Sequence, residues 1–180
     1  MAVEMRGIAR HIVREYELPL LGIHGITHWA RVYDNGQRLA EVSGADQDVV
    51  ALFALFHDSK RRNEGHDPDH GQRGAELAKE LRGELFELRD SQFALLLEAC
   101  RGHTHCRHHA DVTIGTCWDS DRLDLGRVGM KPHPHYLNTD EAKRSETIHW
   151  ADGRASFNVV PDWITERWGV ELSDFDDELY

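Results

Sequence analysis

Apolar residues recur at helical spacing along most of the chain, and no stretch alternates with period two for long enough to make a strand. The pattern predicts an all-α fold. Val3, Ile8, Ile12 and Val13 fall on one face of a first helix over residues 2–16, ending before Pro19. The glycine-bearing loop LLGIHGITHW follows, with Thr27 as the expected N-cap of a helix over 28–42 and Gly44 as its C-cap. Asp46 or Asp48 then opens VVALFALFHD, whose unbroken apolar run predicts a helix buried on most sides, with His57 and Asp58 at its C-terminal end. The polar turn RRNEGHDPDHG leads to a helix opened by Asp67-Pro68, with proline in its first turn. Further helices are expected over 90–102, capped by Asp90 or Ser91, over 110–127, and over 139–150. Pro161-Asp162-Trp163 begins a short last one before an acidic end.

Length and composition narrow the class. A chain of 180 residues, 40% hydrophobic and 29% charged, suits one domain with a real core. No apolar run approaches the ~20 residues of a membrane span, and the N-terminus has no uninterrupted apolar segment of the secretory type, so the expected location is the cytoplasm. Three cysteines, Cys100, Cys106 and Cys117, are an odd number and imply reduced thiols rather than a disulfide framework. A net charge of −11 disfavours broad binding to nucleic acid or to anionic membranes. It leaves a small anionic substrate open, because a metal sets its own local field.

Thirteen histidines are the compositional oddity. His28 begins one predicted helix, His57-Asp58 ends another, and Asp121 lies in a third. Brought together, they offer two imidazoles and two carboxylates without a thiolate. That donor set suits Mn, Fe, Co, Ni or Mg better than structural zinc, and an octahedral ion held by four side chains keeps positions for water or a phosphate oxygen. Lys60, Arg61 and Arg62 on the turn after the pair, Arg31 one helical turn beyond His28, and Arg122 beside Asp121 are cations that could meet such an oxygen. His66, His105, Cys106, His108 and His109 fit no standard structural zinc spacing and read as surface residues.

The order histidine, histidine-aspartate, aspartate, in the contexts THWARV, LFALFHDSKR and DSDRLD, resembles the HD-domain metal-dependent phosphohydrolase superfamily. The resemblance spans roughly residues 28–127. It implies an HD-like helical bundle with the metal site between helices: a single domain over 1–180, with a metal-site core about 20–130 and a C-terminal helical extension about 138–180. It assigns His28, His57, Asp58 and Asp121 as ligands of a divalent metal, leaving Asp119 and Asp124 as neighbours. His70 and His103 stand where two-metal members carry further histidines, so one or two ions are expected, with Asp58 bridging the two. The implied activity is a phosphatase, nucleotidase or phosphodiesterase acting on a small phosphate ester or anhydride, a nucleotide or related compound. Asp58, Lys60, Arg61 and His103 would be catalytic and Arg31, Arg62 and Arg122 substrate-binding. Lys60, Arg61 and Arg62 occupy the turn where the nucleotidase-like branch carries a glutamate, so the resemblance does not extend to that branch's catalytic glutamate or to the nucleoside monophosphate specificity that goes with it. Two alternatives remain: an inactive metal-containing ligand-binding or regulatory module, and a di-iron oxygenase-like member. Oligomeric state is left open.

Overall fold

The computed structural model describes residues 3–179, with side chains as far as Phe175. Among these residues there are eight α-helices and no strand, only an isolated bridge between Arg82 and Phe86. Helix α1 (Met5–Glu15) is capped by Glu4, whose carboxylate accepts from the Arg6 and Gly7 amides, and it buries Ile8, Ala9 and Ile12. Helix α2 (Ile26–Ser43) closes at Gly44 in the left-handed conformation, φ 78°. Its N-cap is Gly25 rather than Thr27, which is buried inside the first turn. The loop folds so tightly there that a Cβ on Gly25 would come 1.9 Å from the Leu20 carbonyl oxygen.

Helix α3 (Gln47–Phe56) is the axis of the molecule. Asp46 caps it through the Asp48 and Val49 amides, and every residue from Val49 to Phe56 is buried. An apolar sequence on all sides needs neighbours on all sides, and α3 packs against α1, α2, α4 (His70–Leu81), α5 (Asp90–Gly102) and α6 (Val112–Arg122). Helix α4 starts at His70, not at Asp67-Pro68: Pro68 lies in the preceding turn, while the Asp67 carboxylate accepts from the Arg62 amide and pairs with Arg73.

Helix α6 stops at Arg122, and a 3₁₀ turn over Leu125–Val128 takes the place of the helix expected to continue to 127. Asp119 explains the next departure. Its two oxygens accept from the amide and side chain of both Asn138 and Thr139, pinning that loop across the helix. Helix α7 therefore begins only at Ser145 and runs to Ser156. It buries Ile148 and Ala151 in a small second cluster with Leu39, Leu123, Leu137 and Ala142. Helix α8 (Ile164–Trp168) follows Trp163 as the sequence predicts and returns to pack on α1. No helix of the described residues is long and apolar enough to cross a membrane.

Candidate metal centre

Four helix ends converge beside the C-terminus of α3. His28 comes from the first turn of α2, His57 and Asp58 from the residues just after α3, His70 from the start of α4, His103 from the end of α5, and Asp121 from the last turn of α6. All four imidazoles are buried, His28 and His57 completely.

The tautomer of each ring follows from its partner. His57 Nδ1 donates to the Phe53 and Ala54 carbonyls at 3.0 and 3.2 Å, and His103 Nδ1 to Cys100 O at 2.7 Å. His70 Nδ1 donates to Asp67 O, and His28 Nδ1 to Asp124 Oδ2 at 2.7 Å. A carbonyl or carboxylate can only accept, so each Nδ1 holds a hydrogen, and in the neutral ring each Nε2 presents a lone pair. These Nε2 atoms meet in two pairs, His28 with His57 at 3.1 Å and His70 with His103 at 2.8 Å. Two lone pairs cannot hydrogen-bond to each other; a cation between them satisfies both.

Asp58 joins the pairs. Its Oδ2 lies 3.5 Å from His28 Nε2 and 3.8 Å from His57 Nε2, and its Oδ1 lies 3.1 Å from His70 Nε2 and 3.8 Å from His103 Nε2. Asp121 Oδ1 lies beside the first group, 3.5 and 3.8 Å from His28 and His57 Nε2. Ligands about 2.1 Å from one octahedral ion stand ~3.0 Å apart when adjacent and ~4.2 Å when opposite. The separations in both groups fall in or just below that range, so His28, His57 and Asp58, and again Asp58, His70 and His103, could each hold a metal ion.

The electrostatics agree with a cation site. Burial pushes His57 down to about 3, which keeps its ring neutral. Burial also opposes the charge on Asp58 and Asp121, but the surrounding imidazoles, joined by Arg127 at Asp121, hold both carboxyls below their ordinary range. His103 is pulled up despite its burial, chiefly by the Asp58 carboxylate beside it.

The expected cations are distributed differently. Arg61 stays at the centre, its Nε 3.3 Å from Asp58 Oδ1 but carrying no hydrogen bond. Arg31 is sealed off, 1% exposed, with its guanidinium spent on both oxygens of Asp124, on Asn158 Oδ1 and on Val159 O. Lys60 turns to Glu15 of α1 at 2.7 Å, and Arg62 stands exposed on the turn. Arg122 donates to the carbonyls of Cys106, Arg107 and Tyr136, which ties two loops together outside the centre. His66 is exposed on its turn, and of the cysteines only Cys106 is exposed.

Four residues escape the sequence reading. Asp124 is buried, orients His28 and neutralises Arg31. Arg127 places Nη2 3.8 Å from Asp121 Oδ1. His24, 6% exposed, pairs with Glu64 and meets the His28 ring edge-on at 6.3 Å between centroids. Glu64 thus brings a carboxylate to this rim from the far end of the turn that carries the basic trio. The signals available were slight: a histidine between two glycines in LGIHG, and a guanidinium two turns past Asp121.

The family model for the HD domain matches residues 25–152, which extends through most of α7. The crystal structure of a predicted HD superfamily hydrolase from an uncultured Thermotogales bacterium is 29% identical, with a TM-score of 0.62 over 87% of this chain and 86% of that one. No curated protein matches.

Proposed function

The chain belongs to the HD domain family, and from that premise we propose that it is a metal-dependent phosphohydrolase acting on a small phosphate ester or anhydride, a nucleotide or related compound. One observation carries the reading: the two oxygens of Asp58 face two separate pairs of inward histidine Nε2 atoms, so a single carboxylate can serve two cations. His28, His57, Asp58 and Asp121 would hold one divalent ion, and Asp58, His70 and His103 a second. Bound there, such ions supply a Lewis acid for a phosphoryl oxygen and a stronger water nucleophile at neutral pH.

The protein's own groups do the rest. Asp58 orients the attacking water through whichever oxygen lone pairs are not engaged, and the groups around it keep it ionised despite its burial. Arg61 beside Asp58 and Arg127 beside Asp121 are the guanidinium groups placed to offset charge developing on the phosphate. His103, raised by Asp58 and at the margin of the centre, is placed to return a proton to the leaving oxygen if it is not held by an ion.

Metal-stripped protein reloaded with Mn, Fe, Co, Ni or Mg and assayed for phosphate release from nucleoside phosphates, cyclic nucleotides and sugar phosphates tests the reading. Release by wild type and none by a folded Asp58→Ala variant supports it. No release with any metal would favour a ligand-binding module instead. Metal counts decide nuclearity: His70→Ala and His103→Ala should each lose more than about tenfold in activity, ~1.4 kcal/mol of transition-state stabilisation, while keeping one ion. A wild type with one ion, unchanged in both variants, would limit these histidines to the phosphate or the proton.

A further inference from the structure

We propose that the cleft between the histidine loop and residues 130–137 receives the base of a nucleoside phosphate whose phosphate lies at the metal centre. The inference rests on the phosphohydrolase reading and names the part of the substrate that would select for nucleotides.

Four observations converge on this cleft. It has a volume of about 410 Å³, within the ~300–1,000 Å³ of small-molecule sites. It opens onto the centre: His103 and Thr104 form its inner wall, and Thr104 Oγ1 lies 3.4 Å from His70 Nε2. Of the candidate donors around the centre the Asp121 side chain is the most exposed, 18% against 4% or less for those of His28, His57, Asp58, His70 and His103, and its neighbour Arg122 lines the cleft. Leu125, one turn past Asp121, lines the cleft.

Its chemistry suits an anion with a flat ring. In a protein of net charge −11 no lining residue carries a carboxylate, while Arg107, Arg122 and Lys131 all face it. Met130 and Tyr136, 55% and 49% exposed, give it apolar and aromatic surface beside Pro132 and Leu137. The Arg107 guanidinium lies over the Tyr136 ring at 4.7 Å, and the half-exposed ring gives a base an aromatic surface on which to stack. The walls are built rather than incidental, since the three Arg122 hydrogen bonds join Cys106 and Arg107 on one side to Tyr136 on the other. A larger cleft of about 530 Å³, near Val42, Asp111 and Asn138, shares no residue with the centre.

The test uses adenosine and ribose, neither of which carries a phosphate to be released, so binding and catalysis are read separately. Met130 is one of three methionines in the chain, and methyl-labelled methionine makes it a reporter in the metal-loaded protein. Adenosine should shift the Met130 methyl with saturation while ribose does not, and Tyr136→Ala should weaken adenosine binding by about tenfold. Hydrolysis should show the same preference, with adenosine 5′-monophosphate ahead of ribose 5-phosphate in kcat/KM and the ratio falling toward one in Tyr136→Ala. Equal responses to adenosine and ribose, or adenosine binding that ignores Tyr136, would overturn the proposal even if phosphate esters are hydrolysed. Adenosine binding at Met130 with no hydrolysis of any ester would retain the cleft and remove the enzymatic reading.

Discussion

The side chains around Asp121 show how near neighbours in sequence take unlike tasks. Asp121 Oδ1 faces His28 and His57, whereas Asp124 accepts the His28 Nδ1 hydrogen and holds Arg31. Asp121→Asn removes a charged donor from the first group and should strip most metal from a protein that still folds. Asp124→Asn leaves the donors in place but halves what orients His28, so metal affinity should fall by about 10- to 100-fold, as for partners of metal-binding histidines generally. Calorimetric titration of both variants separates the two roles; equal loss would merge them. The histidines also set a pH dependence. Burial lowers the folded His57 value to about 3 from an ordinary 6.5, so between those values the unfolded chain binds the extra proton and stability rises with pH. Asp58 and Asp121, held low, act in the same direction at more acid pH, whereas His103, held high, contributes stability that is lost only as pH climbs past 6.5. Metal-free protein should therefore have a lower urea midpoint at about pH 4.5 than at about pH 6.5, and a flat profile would contradict a neutral buried His57.

Between elements, the second histidine pair depends on how closely α4 can lie against its neighbours. A Cβ on Gly71 would come 2.2 Å from the Cys100 carbonyl oxygen and 2.9 Å from the His103 ring, and one on Gly74 would come 2.1 Å from Phe56 O. The tightest of those contacts, to Cys100 O and Phe56 O, are backbone, so a methyl group forces the helices apart. Gly71→Ala should cost about 1–3 kcal/mol by overpacking and should separate His70 from His103 while sparing His28 and His57. Metal counting checks this, with one ion lost and one retained expected. The Asp119 staple predicts the reverse. Asp119→Asn sets an amide donor against donors of Asn138 or Thr139 and should destabilise by about 1–3 kcal/mol with metal content unchanged. Metal loss there would put Asp119 in the centre and Asp121 outside it.

For the whole molecule, the proposed centre joins elements far apart in sequence, since α2, α3, α4, α5 and α6 would each deliver a donor. An ion that binds only when all are assembled stabilises the assembly, by ~2.7 kcal/mol at a hundred times its dissociation constant. For 180 residues that is about 5–10 °C in Tm. Thermal unfolding with and without Mn²⁺ or Co²⁺ should show the rise in wild type and a smaller one in His57→Ala; an equal rise in both would place the ion elsewhere.

What the sequence determined by itself was whatever is local or tied to order along the chain. The apolar run Val49–Phe56 could only be a buried helix, Asp46 and Gly44 mark its start and the preceding stop, and the absence of a period-two pattern fits a described structure without a strand. The family was legible because His28, His57-Asp58 and Asp121 each sit in a recognisable local context. Only tertiary structure decided which cations reach the centre. Arg31, Lys60, Arg61 and Arg62 all qualify by spacing, yet Arg31 is consumed by Asp124 and Lys60 by Glu15, while Arg127 arrives from a 3₁₀ turn. Helix α7 began late for a similar reason, because Asp119 reaches across to residues 138 and 139. Helical propensity depends on neighbours within a turn or two, so it is written in the local sequence. The partner of a long charged side chain depends on which helices pack together, which no short stretch of sequence records.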